Sequence, residues 1–352
     1  MRSLLRSALW SSHTYTSNWC AFPGRFIPSS SLKKSRALAF FTRRHGFNKQ
    51  TPSLFVQDTI KSSLLNLILE IILYLIIQLI LRHITHRTLF ILWSVLVLFS
   101  IVLNLLYPRF LLPLFNRLTP LPPSSLSEQI QNLASRVGFR VNRVQLIDSS
   151  RRTGHSNAAA YGLFGVNGIL IADTLLTQLS EREILAVLGH ELGHWRFAHT
   201  YRMLAVNSLV MLAMIESFSL FAHNQAVFAS FGFADMPTLM GFVLFMECIW
   251  SAVEEICDSV VNVVSRRQED QADAFATELG YGKELKTALV KLNVENASTL
   301  KVHWLVSMLR NSHPSLLERC KHISEVEKKK KIDFVFCSIR KWNKVVWKRY
   351  LM

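Results

Sequence analysis

Two long apolar segments constrain the fold of this chain more than any other feature of its sequence. Ser63–Leu81 is interrupted only by Asn66, Glu70 and Gln78, and Thr88–Tyr107 has no charged residue in 20 positions. A helix needs about 20 apolar residues to cross the ~30 Å hydrocarbon core of a bilayer. The two segments and the short link between them therefore predict a helical hairpin in a membrane.

Two further segments favour the same interpretation. Met203–Ala222 contains a single charged residue, Glu216, whereas the segment from about Thr238 to Val264 carries four carboxylates. Carboxylates are costly in lipid, so they should face protein or a wet cavity. A buried amphipathic helix of a soluble protein would tolerate them equally well, and the fourth segment leaves that alternative open. The sequence predicts a mainly α-helical, polytopic membrane protein.

The net charge of +16 lies at the two ends of the chain. Residues 1–50 hold nine Lys/Arg and no acid, and residues 325–352 hold nine Lys/Arg against three acids, which leaves +1 for residues 51–324. Terminal basic runs are more typical of solvated tails, targeting or contact with anionic lipid than of base recognition. No nucleic-acid-binding motif accompanies them. We expect a lipid bilayer as a partner, and no nucleic acid.

The region between the second and third spans has the composition of a water-soluble segment. A Pro/Ser-rich stretch at 118–126 predicts a turn. A helix at Ser127–Val137 and a strand at Val141–Ile147 follow. Tyr161–Gly165, a Val-Asn-Gly turn and Ile169–Ala172 predict a hairpin or an edge strand.

The sequence His190-Glu191-Leu192-Gly193-His194 is an HExxH motif. It lies in a helical run that opens with a capping-box pattern at Ser180–Glu183. Histidines at i and i+4 share one helix face and can bind one zinc ion, while Glu191 can act on a nearby water. A helix with two structurally satisfied histidines is the alternative, and the capped apolar helix favours zinc.

A catalytic zinc site needs a third protein ligand. The metzincin pattern is absent, since Phe197 stands where that pattern has glycine. Downstream, Glu269 and Asp273 are four residues apart on a second predicted helix. A ligand carboxylate followed by an acid that orients a ligand histidine fits this spacing, although a solvated acidic face would show it too.

Seven motifs in one order resemble those of the CAAX prenyl protease 1 family, the type I CAAX endoproteases, which are integral-membrane zinc metalloproteases. They are HGFNKQT (45–51), PLFNRLTPLP (113–122), HSNAAAYG (155–162), DTLL (173–176), VLGHELGHW (187–195), SRRQEDQADAFA (265–276) and SHPSLLER (312–319). The resemblance implies a gluzincin-like zinc site with a small β edge element, set in a bundle of transmembrane helices.

The resemblance also implies the roles of the residues at the metal. His190, His194 and Glu269 would bind one Zn²⁺ ion. Glu191 would be the general base and proton shuttle, and Asp273 would orient a ligand histidine. In this family the QEDQAD segment usually has an aromatic residue on each side of the ligand glutamate, so Asp270 is a rival ligand.

Four further residues take their expected roles from the same resemblance. His313 would bind the scissile region and steady the oxyanion. Arg319 would hold either a substrate carboxylate or the charge network of the site. Asn157 and Ala158 would hold the substrate backbone as an added strand, although HSNAAAYG departs from the usual HSNAYFYG-like pattern.

The function implied by the resemblance is removal of the C-terminal tripeptide from prenylated CAAX proteins in the endoplasmic reticulum or nuclear envelope. The family has seven spans, this chain shows four, and a basic leader stands where the first spans should be, which predicts a truncated or altered N-terminus. If the leader is a transit peptide, a mitochondrial membrane metalloprotease is the alternative. A truncated, inactive protein that retains zinc is another.

The sequence thus predicts six segments. They are a basic leader (1–44), a transmembrane hairpin (45–117), a catalytic segment with the HELGH helix (118–202), two further spans (203–264), the zinc-ligand helix with the SHP motif (265–323) and a basic tail (324–352).

Overall fold

The computed structural model describes residues 49–80, 86–222, 224–230, 232, 238–296 and 302–332. The predicted leader (1–44) and residues 333–352 of the predicted tail lie outside these ranges. The helices and strands are α1 (Pro52–Ile80), α2 (His86–Leu106), α3 (Leu112–Phe115), β1 (Leu118–Pro120), α4 (Ser125–Val137), β2 (Arg143–Ile147), β3 (Ala158–Leu163), β4 (Val166–Ala172), α5 (Asp173–Gln178), α6 (Glu181–Arg196), α7 (His199–Ala222), α8 (Gln225–Ser230), α9 (Thr238–Leu244), α10 (Ser251–Ala276), α11 (Gly282–Glu295), α12 (Trp304–Arg310) and α13 (316–332).

Three helical stretches are long and apolar enough to cross a membrane. They are Pro52–Ile76, Arg87–Phe115 and His199–Ala222, and they contain most of the first three predicted spans. The helix through the predicted fourth span is not among the candidates found in the described residues. Its four carboxylates, Glu247, Glu254, Glu255 and Asp258, lower its hydropathy. The fourth span stays a prediction.

The candidate spans pack through one face and expose apolar side chains on the other. Leu73 and Leu96 are buried in a cluster that also contains Phe218. The Trp93 indole N–H donates to the Ser208 carbonyl at 2.9 Å and links α2 to α7. Outward-facing leucines such as Leu220 are largely exposed. An apolar outer surface suits lipid as the solvent.

A four-stranded sheet of order β1-β2-β4-β3 lies between the second and third spans. β2 and β4 are parallel, and the two outer pairs are antiparallel. The turn predicted at 118–126 is confined to residues 121–124, because Leu118–Pro120 pairs with the end of β2. Proline is tolerated at a sheet edge, where its missing N–H breaks no ladder bond.

The β3–β4 hairpin confirms the predicted connection but not its turn. The predicted Val-Asn-Gly turn lies inside β4, and the chain reverses at Phe164 and Gly165, with φ of 49° and 84°. A two-residue type I′ turn needs positive φ at both central residues. Gly165 adopts that conformation without strain, so the turn lies two residues earlier than predicted.

Two glycines let the HExxH helix approach α10 closely. A Cβ atom on Gly193 would lie 3.0 Å from the Ala272 Cα, and one on Gly189 would lie 3.6 Å from the Ala276 Cβ. Small residues at i and i+4 on both helices therefore form the crossing. This short distance brings Glu269, on α10, to the two histidines of α6.

Candidate active site

The start of α6 is fixed by the predicted capping box. The backbone N–H and the hydroxyl of Ser180 both donate to the Glu183 carboxylate, at 2.8 and 2.9 Å, and Lys291 Nζ donates to it at 2.7 Å. Burial alone would raise the pKa of Glu183, but these hydrogen bonds outweigh it and lower that pKa to about 2. The cap anchors the helix two turns before its first histidine.

His190, His194 and Glu269 meet at one buried point. The two Nε2 atoms lie 3.1 Å apart, His190 Nε2 lies 3.5 Å from Glu269 Oε2, and His194 Nε2 lies 3.4 Å from Glu269 Oε1. Three corners of a tetrahedron around a zinc ion with ligands at ~2.0 Å lie about 3.3 Å apart. Asp270, the rival ligand, does not belong to this group.

The donor chemistry at this point fits a cation. His190 Nδ1 lies 2.8 Å from Asp273 Oδ1. An ionised carboxylate can only accept, so His190 carries its proton on Nδ1 and turns the Nε2 lone pair towards His194 and Glu269. Glu269 Oε2 is buried without a hydrogen bond to any residue that the structure describes. A cation would satisfy these converging acceptors, whose mutual approach is otherwise unfavourable.

Arg319 holds Asp273 in its ionised state. Its Nε and Nη2 atoms donate to the two carboxylate oxygens of Asp273 at 2.8 and 2.6 Å. Burial alone would raise the pKa of Asp273, but the guanidinium charge and hydrogen bonds lower it to about 2. Of the two roles expected for Arg319, its place behind Asp273 favours the charge network over a substrate carboxylate.

Glu191 lines the same cavity wall as the candidate metal-ligand group, which consists of His190, His194 and Glu269. The pKa of Glu191 is raised to about 7, chiefly by burial. The charge of Glu269 also raises this pKa, whereas His190 and a backbone hydrogen bond at Ala160 lower it. A carboxylate whose pKa lies near neutrality can both accept and release a proton at physiological pH.

His313 reaches the site from the loop between α12 and α13. Its Nδ1 lies 3.0 Å from Glu269 Oε1, and 37% of its side chain is exposed. Arg266 Nη1 donates to the His313 carbonyl at 3.2 Å, and Arg266 Nη2 pairs with Glu318 Oε1 at 2.9 Å. Arg266 and Glu318 were not among the predicted site residues, and their only signal in the sequence was their place inside two of the matched motifs.

A cavity of about 670 Å³ opens over these residues. Asn157 and Ala158, at the start of the edge strand β3, line one side of it, and Leu285 and Leu289 of α11 line another. The Asn157 side chain accepts a hydrogen bond from the Ala158 N–H at 2.9 Å. An edge strand beside a metal-ligand group can pair with an extended peptide.

Two residues that the sequence analysis did not name also reach the group. His199, at the start of α7, lies with its Nδ1 2.9 Å from His194 Nδ1, and its Nε2 lies 2.9 Å from Gln271 Oε1. Gln271 stands between Glu269 and Asp273 in sequence. A polar residue within the ligand motif was the only signal available beforehand.

The site combines two buried histidines and a glutamate with a second carboxylate and an edge strand, and helices long enough to cross a membrane are attached to it. This combination is typical of a membrane metallopeptidase. Residues 120–327 match the model of peptidase family M48, and residues 40–117 match the model described as "CAAX prenyl protease N-terminal, five membrane helices". The chain belongs to peptidase family M48 and is a membrane-embedded metalloendopeptidase.

Proteins named CAAX prenyl protease 1 are similar to most of the chain. The Arabidopsis thaliana homolog is 40% identical over 81% of this chain and 68% of its own length, and the human homolog is 33% identical over 78% and 66%. The crystal structure of S. mikatae Ste24p superposes with a TM-score of 0.74 at 31% identity, covering 91% of this chain and 82% of that one. The family resemblance expected from the seven motifs is confirmed.

Proposed function

We propose that this chain is a zinc endopeptidase that removes the C-terminal tripeptide from prenylated CAAX proteins in the endoplasmic reticulum membrane or the nuclear envelope. The observation that carries the proposal is the convergence of His190, His194 and Glu269 on one point beside an edge strand. The names of the relatives supply the substrate class.

The donor set supports zinc as the metal. Two imidazole nitrogens and one carboxylate, with a fourth position left for water or substrate, are the ligands of many catalytic zinc sites. When bound, zinc supplies Lewis acidity for a peptide carbonyl and favours ionisation of water near neutral pH. Such an ion would explain why the buried Glu269 Oε2 has no hydrogen bond to the described part of the chain.

The protein residues would carry the proton transfers of hydrolysis. Glu191 takes a proton from the attacking water and gives it to the leaving amine, so that one carboxylate serves both steps. His313, on the exposed side of the group, donates a hydrogen bond to the oxyanion that forms at the scissile carbonyl. Asp273 and Arg319 keep His190 in the tautomer that binds metal.

The surroundings of the site support a lipid-modified peptide as substrate. Strand β3 offers backbone groups to an extended chain in fixed register, whatever its sequence. The apolar wall at Leu285 and Leu289 suits aliphatic side chains of a CAAX tripeptide. A prenyl chain partitions into lipid, and His194 contacts His199, the first residue of the candidate span His199–Ala222.

The test is cleavage of a farnesylated CAAX peptide by membranes expressing this 352-residue chain. We expect release of the tripeptide, its loss with a chelator and its return with zinc. Glu191→Gln should lower the rate at least ~100-fold while zinc is retained, because general base catalysis contributes about that much or more. Glu325→Gln, at an exposed position of α13, is the matched control and should leave the rate unchanged.

Three results would contradict the proposal. If Glu191→Gln were as active as the wild type, Glu191 would not be the general base. If the unprenylated peptide were cleaved as fast as the farnesylated one, the substrate class would be wrong. Zinc bound at full stoichiometry without any cleavage would show a metal site that lacks a competent substrate cavity.

A further inference from the structure

The two histidines of the HExxH motif are supported in different ways. His190 donates to an ionised carboxylate, Asp273, whereas His194 Nδ1 lies 2.9 Å from a nitrogen of another imidazole, His199 Nδ1. Since an imidazole nitrogen can donate or accept, this contact alone does not say which histidine carries the proton.

The residues behind His199 decide the direction of that hydrogen bond. Arg202 Nη1 lies 3.2 Å from Gln271 Oε1, and a guanidinium group can only donate, so this atom of Gln271 must be the amide oxygen. The same oxygen lies 2.9 Å from His199 Nε2. Nε2 therefore carries the proton, and in a neutral imidazole Nδ1 is then an acceptor.

The chain of donors leaves His194 with one tautomer. Because His199 Nδ1 accepts, His194 Nδ1 must donate, and its Nε2 keeps a lone pair that points at His190 and Glu269. This is the form of histidine that binds a metal through Nε2. We propose that His199, held by Gln271, is the positioning residue for the second metal-ligand histidine, His194.

The backbone around His199 supports this assignment. Only Phe197 and Ala198 separate α6 from α7, and Ala198 adopts a left-handed φ of 55°. Positive φ is unfavourable for a residue with a Cβ, and such strain is retained where the surroundings require it. This reversal of the chain brings the fully buried His199 ring back to His194, which lies five residues earlier in the sequence.

The arrangement joins the metal site to a membrane helix. His199 is the first residue of the candidate span His199–Ala222, and Gln271 lies on α10 two residues after Glu269. A shift of α7 relative to α10 would therefore reach His194 directly. The inference rests on the metal site of the proposed function, so its test measures metal affinity as well as stability.

The experiment compares zinc affinity among variants of the detergent-purified full chain by competition with a chelator. His199→Leu removes the acceptor and should weaken zinc binding 10- to 100-fold, the usual effect of losing a partner of a ligand histidine. His199→Gln supplies an amide oxygen as acceptor and should restore affinity to within about threefold of the wild type. Gln271→Met should weaken zinc binding less than His199→Leu does.

The control is His322, a half-buried histidine that also contacts α10. The His322 Nε2 lies 3.1 Å from the Asp270 carbonyl oxygen, and His322→Leu should change the thermal unfolding temperature without changing zinc affinity. Co²⁺ substitution adds a spectroscopic measure, since an altered visible band in His199→Leu would report a displaced ligand.

Two outcomes would overturn the inference while the proposed function stands. One is a His199→Leu variant that binds zinc as tightly as wild type. The other is a His199→Gln variant that loses as much affinity as His199→Leu, which would assign His199 to packing alone. A wild-type chain that binds no zinc would instead contradict the proposed function itself.

Discussion

The membrane helices and the catalytic region place their polar and apolar groups in opposite ways. In the candidate spans, leucines such as Leu75, Leu98 and Leu220 face outward and are more than half exposed. In the catalytic region, Glu183, Glu269 and Asp273 are buried. The outside of one region is as apolar as the inside of an ordinary protein, and the inside of the other holds charge.

This contrast shows where each region is sensitive to substitution. A span in lipid needs apolar surface but little shape at its outer face, because lipid tails adapt to it. A buried charge needs a particular partner at a particular distance, and the protein loses several kcal/mol of stability when that partner is removed. Conservative substitutions should therefore be harmless on the outer faces of the candidate spans and severe at the buried charges of the catalytic region.

The largest effect is expected at Arg319. Arg319→Met would leave the buried Asp273 without its cation and should lower the free energy of unfolding by about 3–5 kcal/mol. Arg319→Lys keeps the positive charge but loses the bidentate contact with Asp273, so it should lower the free energy of unfolding by less than Arg319→Met does. Thermal unfolding of the purified chain measures both. An unchanged stability of Arg319→Met would show that the ion pair is dispensable.

A smaller effect is expected where α6 crosses α10. Gly193→Ala places a methyl group 3.0 Å from the Ala272 Cα, so the helices must separate, at a cost of about 1–3 kcal/mol. Gly189→Ala, with an ordinary contact of 3.6 Å, is the matched control and should be tolerated. The comparison uses unfolding temperature and zinc content. Equal behaviour of the two variants would contradict the close crossing.

The Glu183 cap should make stability depend on pH. Its pKa is lowered from 4.5 to about 2 in the folded protein, so its contribution is present above about pH 4.5 and is lost as the pH falls towards 2. Glu183→Gln should cost about 1 kcal/mol at neutral pH and flatten the curve over that window. Unfolding measured from pH 6 to 3 tests this. Glu325→Gln, which is exposed, should follow the wild type.

The smallest effect is expected on the outer face of α7. Leu220 is 77% exposed, and Leu220→Ile should change stability by less than about 0.5 kcal/mol. The same exchange at the fully buried Leu188 of α6 should cost about 1 kcal/mol, because its packing must rearrange. A larger cost at Leu220 would mean that this face is covered by protein rather than lipid.

The sequence was sufficient for features that depend on composition or on local spacing. Apolar length predicts the spans, and the structure has helices long and apolar enough for three of them. Residues one helical turn apart predict the capped HExxH helix, which the structure also has. Glu269 was expected at the metal because of the Glu269–Asp273 spacing and the family resemblance. The structure places the Glu269 carboxylate 3.5 and 3.4 Å from His190 and His194, and its role as a metal ligand stays a prediction.

Features that depend on distant residues could not be predicted in this way. Strand β1 forms only because Leu118–Pro120 meets β2, and the turn at Phe164 depends on backbone twist rather than on the better turn sequence two residues later. His199 and Gln271 meet although 72 positions separate them. Asn157 and Ala158 line the cavity, but their contact with substrate stays a prediction.

We propose that His190, His194 and Glu269 bind the catalytic metal. The most direct test is the zinc content of the purified chain beside Glu269→Gln and Glu191→Gln. We predict one zinc ion per chain in the wild type and in Glu191→Gln, and little zinc in Glu269→Gln, which removes a ligand charge but keeps the shape. Full zinc content in Glu269→Gln would contradict the claim.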